Sequence, residues 1–198
     1  MTQLLLALDF GGTKHTAALA VPGVREWRAH RRVFSPPGAD ARYDIRTMCA
    51  MARGLLAGSC PAAVGVSFGG PVDVEEGVTI VSHRMPGWER YPLRQVFEEA
   101  FDVATLVDND ARVTALGEAL YGAGKGMRDL FYIHLSSGVG GGLVLDGQPY
   151  RGMTTTAGEI GHTRVLEGGP LCSCGRPGHL EALVSAPALI ARAWELSH

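Results

Sequence analysis

No apolar run in this sequence is long enough to cross a bilayer. The best candidate, Leu4-Leu5-Leu6-Ala7-Leu8, stops at Asp9, whereas a spanning helix needs about 20 such residues. It has no basic leader region and no cleavage signal. A buried strand is the expected reading, no membrane partner is expected, and the cytoplasm is the expected location. Neither sign of charge dominates: 18 Lys and Arg stand against 20 Asp and Glu, a net charge of −2. That balance gives no basis for a nucleic-acid partner. Charged residues make up only 19% against 46% apolar, over 198 residues, so disorder is disfavoured and a core is available. The length suits one compact domain or two small lobes sharing a hinge. Cysteines number four, and in a reducing compartment no disulfide framework is expected. Cys49 and Cys60 lie in apolar sequence and are expected as core thiols. Neither a Walker A loop nor a GxGxxG fingerprint occurs.

What is present is an alternation of short apolar strands, glycine turns and helical stretches. Leu4 to Phe10 and Thr16 to Ala20 read as strands joined by Gly11-Gly12-Thr13-Lys14. A third strand ends at Val33-Phe34. Asp40 to Leu56 reads as a helix with Ile45, Met48, Ala52 and Leu55 near one face. Ala63 to Phe68 reads as a buried strand, Val72 to Val81 as a hairpin, Leu93 to Phe101 as a helix and Ala104 to Val107 as a strand. Asn109-Asp110 then opens a helix to about Tyr121. Leu130 to Leu135 is a strand, Ser136 to Gly142 a turn and Leu143 to Leu145 a strand with a hairpin turn at Asp146-Gly147. Met153 to Gly161 is a polar loop, and Ala186 to Leu196 an amphipathic helix. Strand, glycine turn, strand thus occurs twice, at Asp9 to Thr13 and at Ser136 to Gly140. This weak repeat places a division near residue 115, giving lobes 1–115 and 116–198.

Three segments have side chains suited to chemistry. In the first turn, Asp9 could hold a phosphate-bound Mg²⁺, through water, because that ion takes oxygen ligands. The backbone of Gly11, Gly12 and Thr13 could donate to phosphates, with Lys14 beside them. An ordinary hairpin turn with one acid and one base explains the same residues. Asn109-Asp110 reads either as a helix cap or as a base that accepts a hydroxyl proton during phosphoryl transfer, with Asn109 fixing the substrate. The third segment is the most specific: His162, Cys172, Cys174 and His179 offer two nitrogens and two sulfurs. That set fills a tetrahedral Zn²⁺ shell with no open position, so the metal would be structural. Incidental thiols in a loop are the alternative. Glu159 and Glu181 flank the ligands and are free to accept hydrogen bonds from a polyol.

Together these segments resemble the ROK family of sugar kinases and transcriptional repressors. The resemblance rests on Asp9-Phe10-Gly11-Gly12-Thr13-Lys14, on Gly69-Gly70-Pro71-Val72-Asp73 with Pro86-Gly87-Trp88, on Asn109-Asp110-Ala111, on Ser137-Gly138-Val139-Gly140-Gly141-Gly142, and on Glu159-Ile160-Gly161-His162 with Cys172-Ser173-Cys174-Gly175-Arg176-Pro177-Gly178-His179-Leu180-Glu181, all in order. It implies an α/β fold of the actin-like (ribonuclease H-like) type, two lobes with a cleft between them and the second lobe incomplete. It implies ATP with Mg²⁺ held by the two glycine turns, Ser137 and Gly138 forming the second, and a structural Zn²⁺. Between the two readings of Asp110 it selects the general base. Asn109, Glu159, His162, Glu181 and the backbone near Gly70 would hold ring hydroxyls. His162 would bind zinc through one ring nitrogen and sugar through the other. The implied reaction is transfer of the ATP γ-phosphate to a hexose hydroxyl. Glucose is the first expectation, with N-acetylmannosamine, N-acetylglucosamine, fructose and allose also open, and dimers are common in the family.

The sequence departs from the family's pattern in three places. His179 stands where a cysteine is usual, and Arg84 and Arg112 stand where asparagine is frequent. The chain ends at His198, where the family continues with a segment that helps bind adenosine. Two rival functions are a sugar-sensing regulator, for which no room for a helix-turn-helix is expected before residue 9, and a non-catalytic, zinc-stabilised sugar-binding module.

Overall fold

The structure, a computed structural model, describes residues 3–82 and 86–197. Arg84, one of the expected departures, lies outside the described residues. The chain divides into two compact units, Met1–Asp110 and Ala111–His198.

The first unit runs β1 (Leu5–Phe10), β2 (Lys14–Ala20), β3 (Ala29–Phe34), α1 (Ala41–Leu56), β4 (Ala63–Phe68), β5 (Val72–Asp73), β6 (Val78–Thr79), α2 (Leu93–Phe101) and β7 (Thr105–Asn109). Five strands form one sheet in the order β3-β2-β1-β4-β7. β1 pairs antiparallel with β2 and parallel with β4, and β4 pairs parallel with β7. The period of two decides which side chains enter the core. Leu6, Leu8 and Phe10 of β1, with Val64, Val66 and Phe68 of β4, are buried, and α1 and α2 add Met48, Ala52, Leu93 and Phe97. The intervening Asp9 and Ser67 face the other side of the sheet, directly paired in register.

Trp88 lies at the centre of an aromatic cluster, its ring 5.4 Å from Phe10, 4.8 Å from Phe68 and 5.2 Å from Tyr91. The resemblance suggests a sugar-side role for Pro86-Gly87-Trp88, but the Trp88 side chain is fully buried in this core.

The expected face of α1 is the one that packs on the core, while the expectation for Cys60 in the segment after it needs correction. Asp40 caps α1 by accepting from the Tyr43 amide at 2.8 Å, as Asp does at this position. The buried residues of α1 are Ala41, Asp44, Met48, Met51, Ala52 and Leu56, and the expected Ile45 and Leu55 pack, partly buried, against the same core. A purely apolar stripe cannot anticipate an aspartate in the core. Cys60 is exposed, because it lies in the turn between the αL cap at Ala57 and β4. Cys49 does pack against the core.

The helix α3 (Asp110–Tyr121) begins directly after β7. In the second unit follow β8 (Leu130–Leu135), β9 (Val139–Leu145), β10 (Gln148–Tyr150), a 3-10 turn at Ile160–His162, α4 (Leu180–Val184) and α5 (Ala186–Ser197). The strands form an antiparallel sheet in the order β10-β9-β8. β9 starts at Val139, not Leu143, so Gly140, Gly141 and Gly142 are strand residues paired with β8. Packing explains the glycines: a Cβ on Gly142 would lie 2.5 Å from the Ala111 carbonyl oxygen. The true turn is only Ser136 to Gly138, closed by the Ser136 amide on the Gly138 carbonyl at 2.9 Å.

Candidate functional site

The first glycine turn joins β1 to β2 and is closed by the Gly11 amide on the Lys14 carbonyl at 3.1 Å. Gly12, Thr13 and Lys14 are exposed, so their donors face solvent. Asp9 is oriented by Ser67, whose hydroxyl donates to Asp9 Oδ1 at 2.9 Å. Behind the turn lies a buried group that the motif does not announce. His15 Nε2 meets Asp44 Oδ1 at 2.6 Å with both side chains fully buried. The Ser35 hydroxyl donates to the same oxygen at 2.9 Å, and the Ser35 amide donates to the Thr13 carbonyl at 3.0 Å. Asp44 thereby draws β2, the end of β3 and α1 together under Thr13 and Lys14. The sequence signal was an aspartate on the apolar face of α1.

At the end of β7, Asn109 is buried and its side-chain amide does two jobs. It donates to the Gly70 carbonyl at 3.1 Å and to Asp110 Oδ1 at 3.1 Å. The expected base is therefore oriented by the expected sugar-fixing residue, which is itself anchored to the Gly69-Gly70 loop. Asp110 is the first residue of α3, where the free amides of the helix start favour a carboxylate.

In the second unit the four expected metal ligands converge. The donor atoms of His162, Cys172, Cys174 and His179 all lie within 4.8 Å of one another. Cys172 Sγ is 3.7 Å from His162 Nδ1, and Cys174 Sγ is 3.2 Å from His179 Nδ1. A tetrahedral zinc shell with these ligand types has edges of roughly 3.3–3.8 Å; the two Cys–His pairs lie close to that range and the widest separation would close by about an ångström around the ion, so the donor set fits zinc. A tight turn makes this convergence local: the Cys172 amide donates to the Arg176 carbonyl and the Gly175 amide to the Cys172 carbonyl, each at 2.9 Å. Burial pushes the Cys172 thiol above its ordinary range; a backbone hydrogen bond at Cys174 opposes the shift and the Glu181 carboxylate adds to it. A bound metal would displace that proton.

His162 presents Nδ1 to the cysteine and Nε2 toward Glu159, 3.9 Å from Oε2. Its two nitrogens thus face different groups. Glu181 is more committed than expected. It accepts from the Val139 amide at 3.1 Å through one oxygen and from the Ser173 hydroxyl at 2.8 Å through the other. The Cys172 thiol donates to that second oxygen as well, at 3.6 Å. Glu181 links the end of the second glycine turn to the Cys-x-Cys turn. Ser137 is exposed and Gly138 half-buried.

The ROK family model matches residues 5–196. Among curated relatives, a glucokinase from Halalkalibacterium halodurans is 41% identical over 128 residues, 64% of this chain and 39% of its own length. An N-acetylmannosamine kinase from Salmonella arizonae is 35% identical over 95% of this chain and 63% of its own. A xylose repressor from Caldicellulosiruptor bescii is 33% identical over 64% of this chain and 32% of its own. The chain therefore spans about one to two thirds of the length of these relatives. Among solved structures, a ROK family glucokinase from Streptomyces griseus in complex with glucose and AMPPNP superposes with a TM-score of 0.87 at 32% identity, covering 97% of this chain and 60% of that one. A ROK hexokinase from Thermus thermophilus gives 0.81 at 34%, covering 98% and 64%. The fold is thus the α/β, actin-like fold of ROK sugar kinases, and with a family match running almost from end to end over motifs that occur in order, the chain belongs to the ROK family.

Proposed function

We propose that the complete protein is an ATP-dependent hexose kinase of the cytoplasm, with glucose as its first candidate substrate. The observation that carries this reading is the Asn109 amide, which ties the Asp110 carboxylate to the Gly70 carbonyl at the start of α3. The carboxylate is held by a neighbouring side chain that is itself anchored to the Gly70 loop, which supports the reading as a base, since a base must be aimed at the proton that it takes.

In this reading MgATP supplies the phosphoryl group when bound. Asp110 accepts the proton of the attacking sugar hydroxyl, the new O–P bond forms, and ADP leaves with the electron pair of the broken bond. Asp9, steadied by Ser67, would hold the Mg²⁺ that accompanies ATP, through water. The amides of Gly12, Thr13 and Gly138, with Lys14 and Ser137, hold phosphate oxygens, whereas the Gly11 amide, expected among the donors, is already given to the Lys14 carbonyl and shapes the turn instead. Positioning and charge neutralisation dominate such a transfer. Asn109, Glu159, His162 through Nε2, Glu181 and the backbone at Gly70 hold ring hydroxyls. His162, Cys172, Cys174 and His179 would hold a structural Zn²⁺ that orients the His162 ring and leaves no position for substrate.

The test is ADP release with a panel of hexoses, beginning with D-glucose and N-acetyl-D-mannosamine, alongside Asp110→Asn. The variant is expected to lose about 10²–10⁴-fold in kcat and to keep its sugar affinity. Near wild-type turnover in the variant would remove Asp110 from the mechanism. A second reading, a sugar-responsive regulator, is supported by the repressor among the relatives. Hexose binding without any ADP release would favour it, or a non-catalytic sugar-binding module, over the kinase.

A further inference from the structure

We propose that Arg112 is a positioning residue for the sugar-holding segment, gripping the backbone of Thr155 so that Glu159 is presented in one place. The proposal rests on the hexose-kinase reading. Arg112 lies two residues after Asp110 on α3 and is only 2% exposed. The apolar cluster of this unit, Ala115, Ala119 and Val144 with Leu130 and Tyr132 against it, has no use for a cation, and burying a guanidinium there is costly, so the hydrogen bond that it does make carries weight. Nη1 donates to the Thr155 carbonyl.

The residue it grips is itself unusual. Thr155 has φ of 58°, a left-handed conformation that a β-branched side chain resists. Such a conformation is held only by its surroundings, and the Arg112 hydrogen bond is one of them. The segment is fixed again three residues on. Gly158 has φ of 97°, and a Cβ there would lie 2.2 Å from the Gly141 carbonyl oxygen of β9. Between these points the Ala157 amide donates to the Arg151 carbonyl at 3.1 Å, and the Thr154 and Thr156 hydroxyls meet at 2.8 Å.

Glu159 follows immediately. It is exposed and stands at the start of the 3-10 turn, with its carboxylate 3.9 Å from His162 Nε2, so its backbone takes its place from the segments on either side. On its C-terminal side is His162, held within the metal-ligand cluster. On its N-terminal side is the segment gripped by Arg112. A hydroxyl-binding carboxylate displaced by an ångström loses its contact, so Arg112 acts on sugar recognition without touching sugar.

The experiment compares Arg112→Met and Arg112→Lys with wild type, each assayed for KM of D-glucose and of ATP, for metal content and for amide hydrogen exchange across residues 151–158. The Lys variant keeps the charge and guards against a Met variant that fails to fold. The expected result is about a tenfold rise in KM for glucose, the loss of one hydrogen-bonded contact, with KM for ATP and metal content unchanged and faster exchange across 151–158. Arg112→Lys should recover part of the glucose affinity. A glucose KM that stays put, or one that rises together with the ATP KM, would overturn the proposal while leaving the kinase reading intact. A wild type that turns over no hexose would overturn the kinase reading and this role with it.

Discussion

A single carboxylate shows how much one residue organises in this protein. Asp44 is fully buried, yet it accepts from both His15 and Ser35, and Ser35 in turn holds the Thr13 carbonyl of the first glycine turn. Removing one partner of a buried pair leaves the other uncompensated, which typically costs about 3–5 kcal/mol. Asp44→Ala is therefore expected to lower stability toward urea by that order and to loosen the turn from Gly11 to Lys14. Equilibrium unfolding read by tryptophan fluorescence checks the first, and exchange at the Gly11 to Lys14 amides checks the second. If the midpoint shifts and those amides do not, Asp44 serves the core alone. An aspartate within an otherwise apolar helix face is readable as an anomaly, but its partners His15 and Ser35 are 29 and 9 residues away and become visible only when the sheet packs on α1.

At the scale of an element, the Cys-x-Cys turn is the most self-contained feature. The four donors come from a short stretch of chain and converge on one point, so their chemistry could be read from spacing. A chelator is expected to remove one metal ion per chain, freeing thiols and raising exchange around residues 172–179. Thiol labelling separates the cysteines. Cys60 is exposed and reacts before chelation, while Cys172 and Cys174 react only after it. Burial pushes the Cys49 thiol above its ordinary range, with Arg53 opposing the shift, so less of it is thiolate at neutral pH and its labelling should accelerate only under alkaline conditions. Labelling of all four thiols at equal rates, with or without chelator, would rule out the metal site. Glycine runs are harder to read. Gly140 to Gly142 look like a loop, yet they pair with β8 as a strand, and at Gly142 α3 leaves no room for a side chain. Composition cannot distinguish a glycine needed for a turn from one needed for close packing.

At the scale of the whole molecule, the second unit leaves a good deal of apolar surface in solvent. Phe131, Ile133 and Leu135 on β8 are 48%, 52% and 61% exposed, and on α5 Leu189, Ile190, Trp194 and Leu196 are exposed and no residue is buried. Exposed apolar clusters of this kind bind hydrophobic dyes and partners. The native chain is expected to enhance the fluorescence of an anilinonaphthalene dye, and Ile133→Thr with Leu135→Thr to reduce that signal without lowering metal content. No enhancement in the folded chain would mean that this surface is covered in solution.

The sequence by itself determined the order of the elements and the family, and it singled out Asp110, the two glycine turns and the Cys/His set as candidates, because each is carried by neighbours in the chain. Short-range pattern records turn chemistry, strand alternation and ligand spacing directly. Only the tertiary structure decided that Trp88 belongs to the core, that Cys60 is exposed, that Glu181 is already engaged by Val139 and Ser173, and that Arg112 holds Thr155. Burial, and hydrogen bonds between residues tens of positions apart, depend on which surfaces meet when sheets and helices pack.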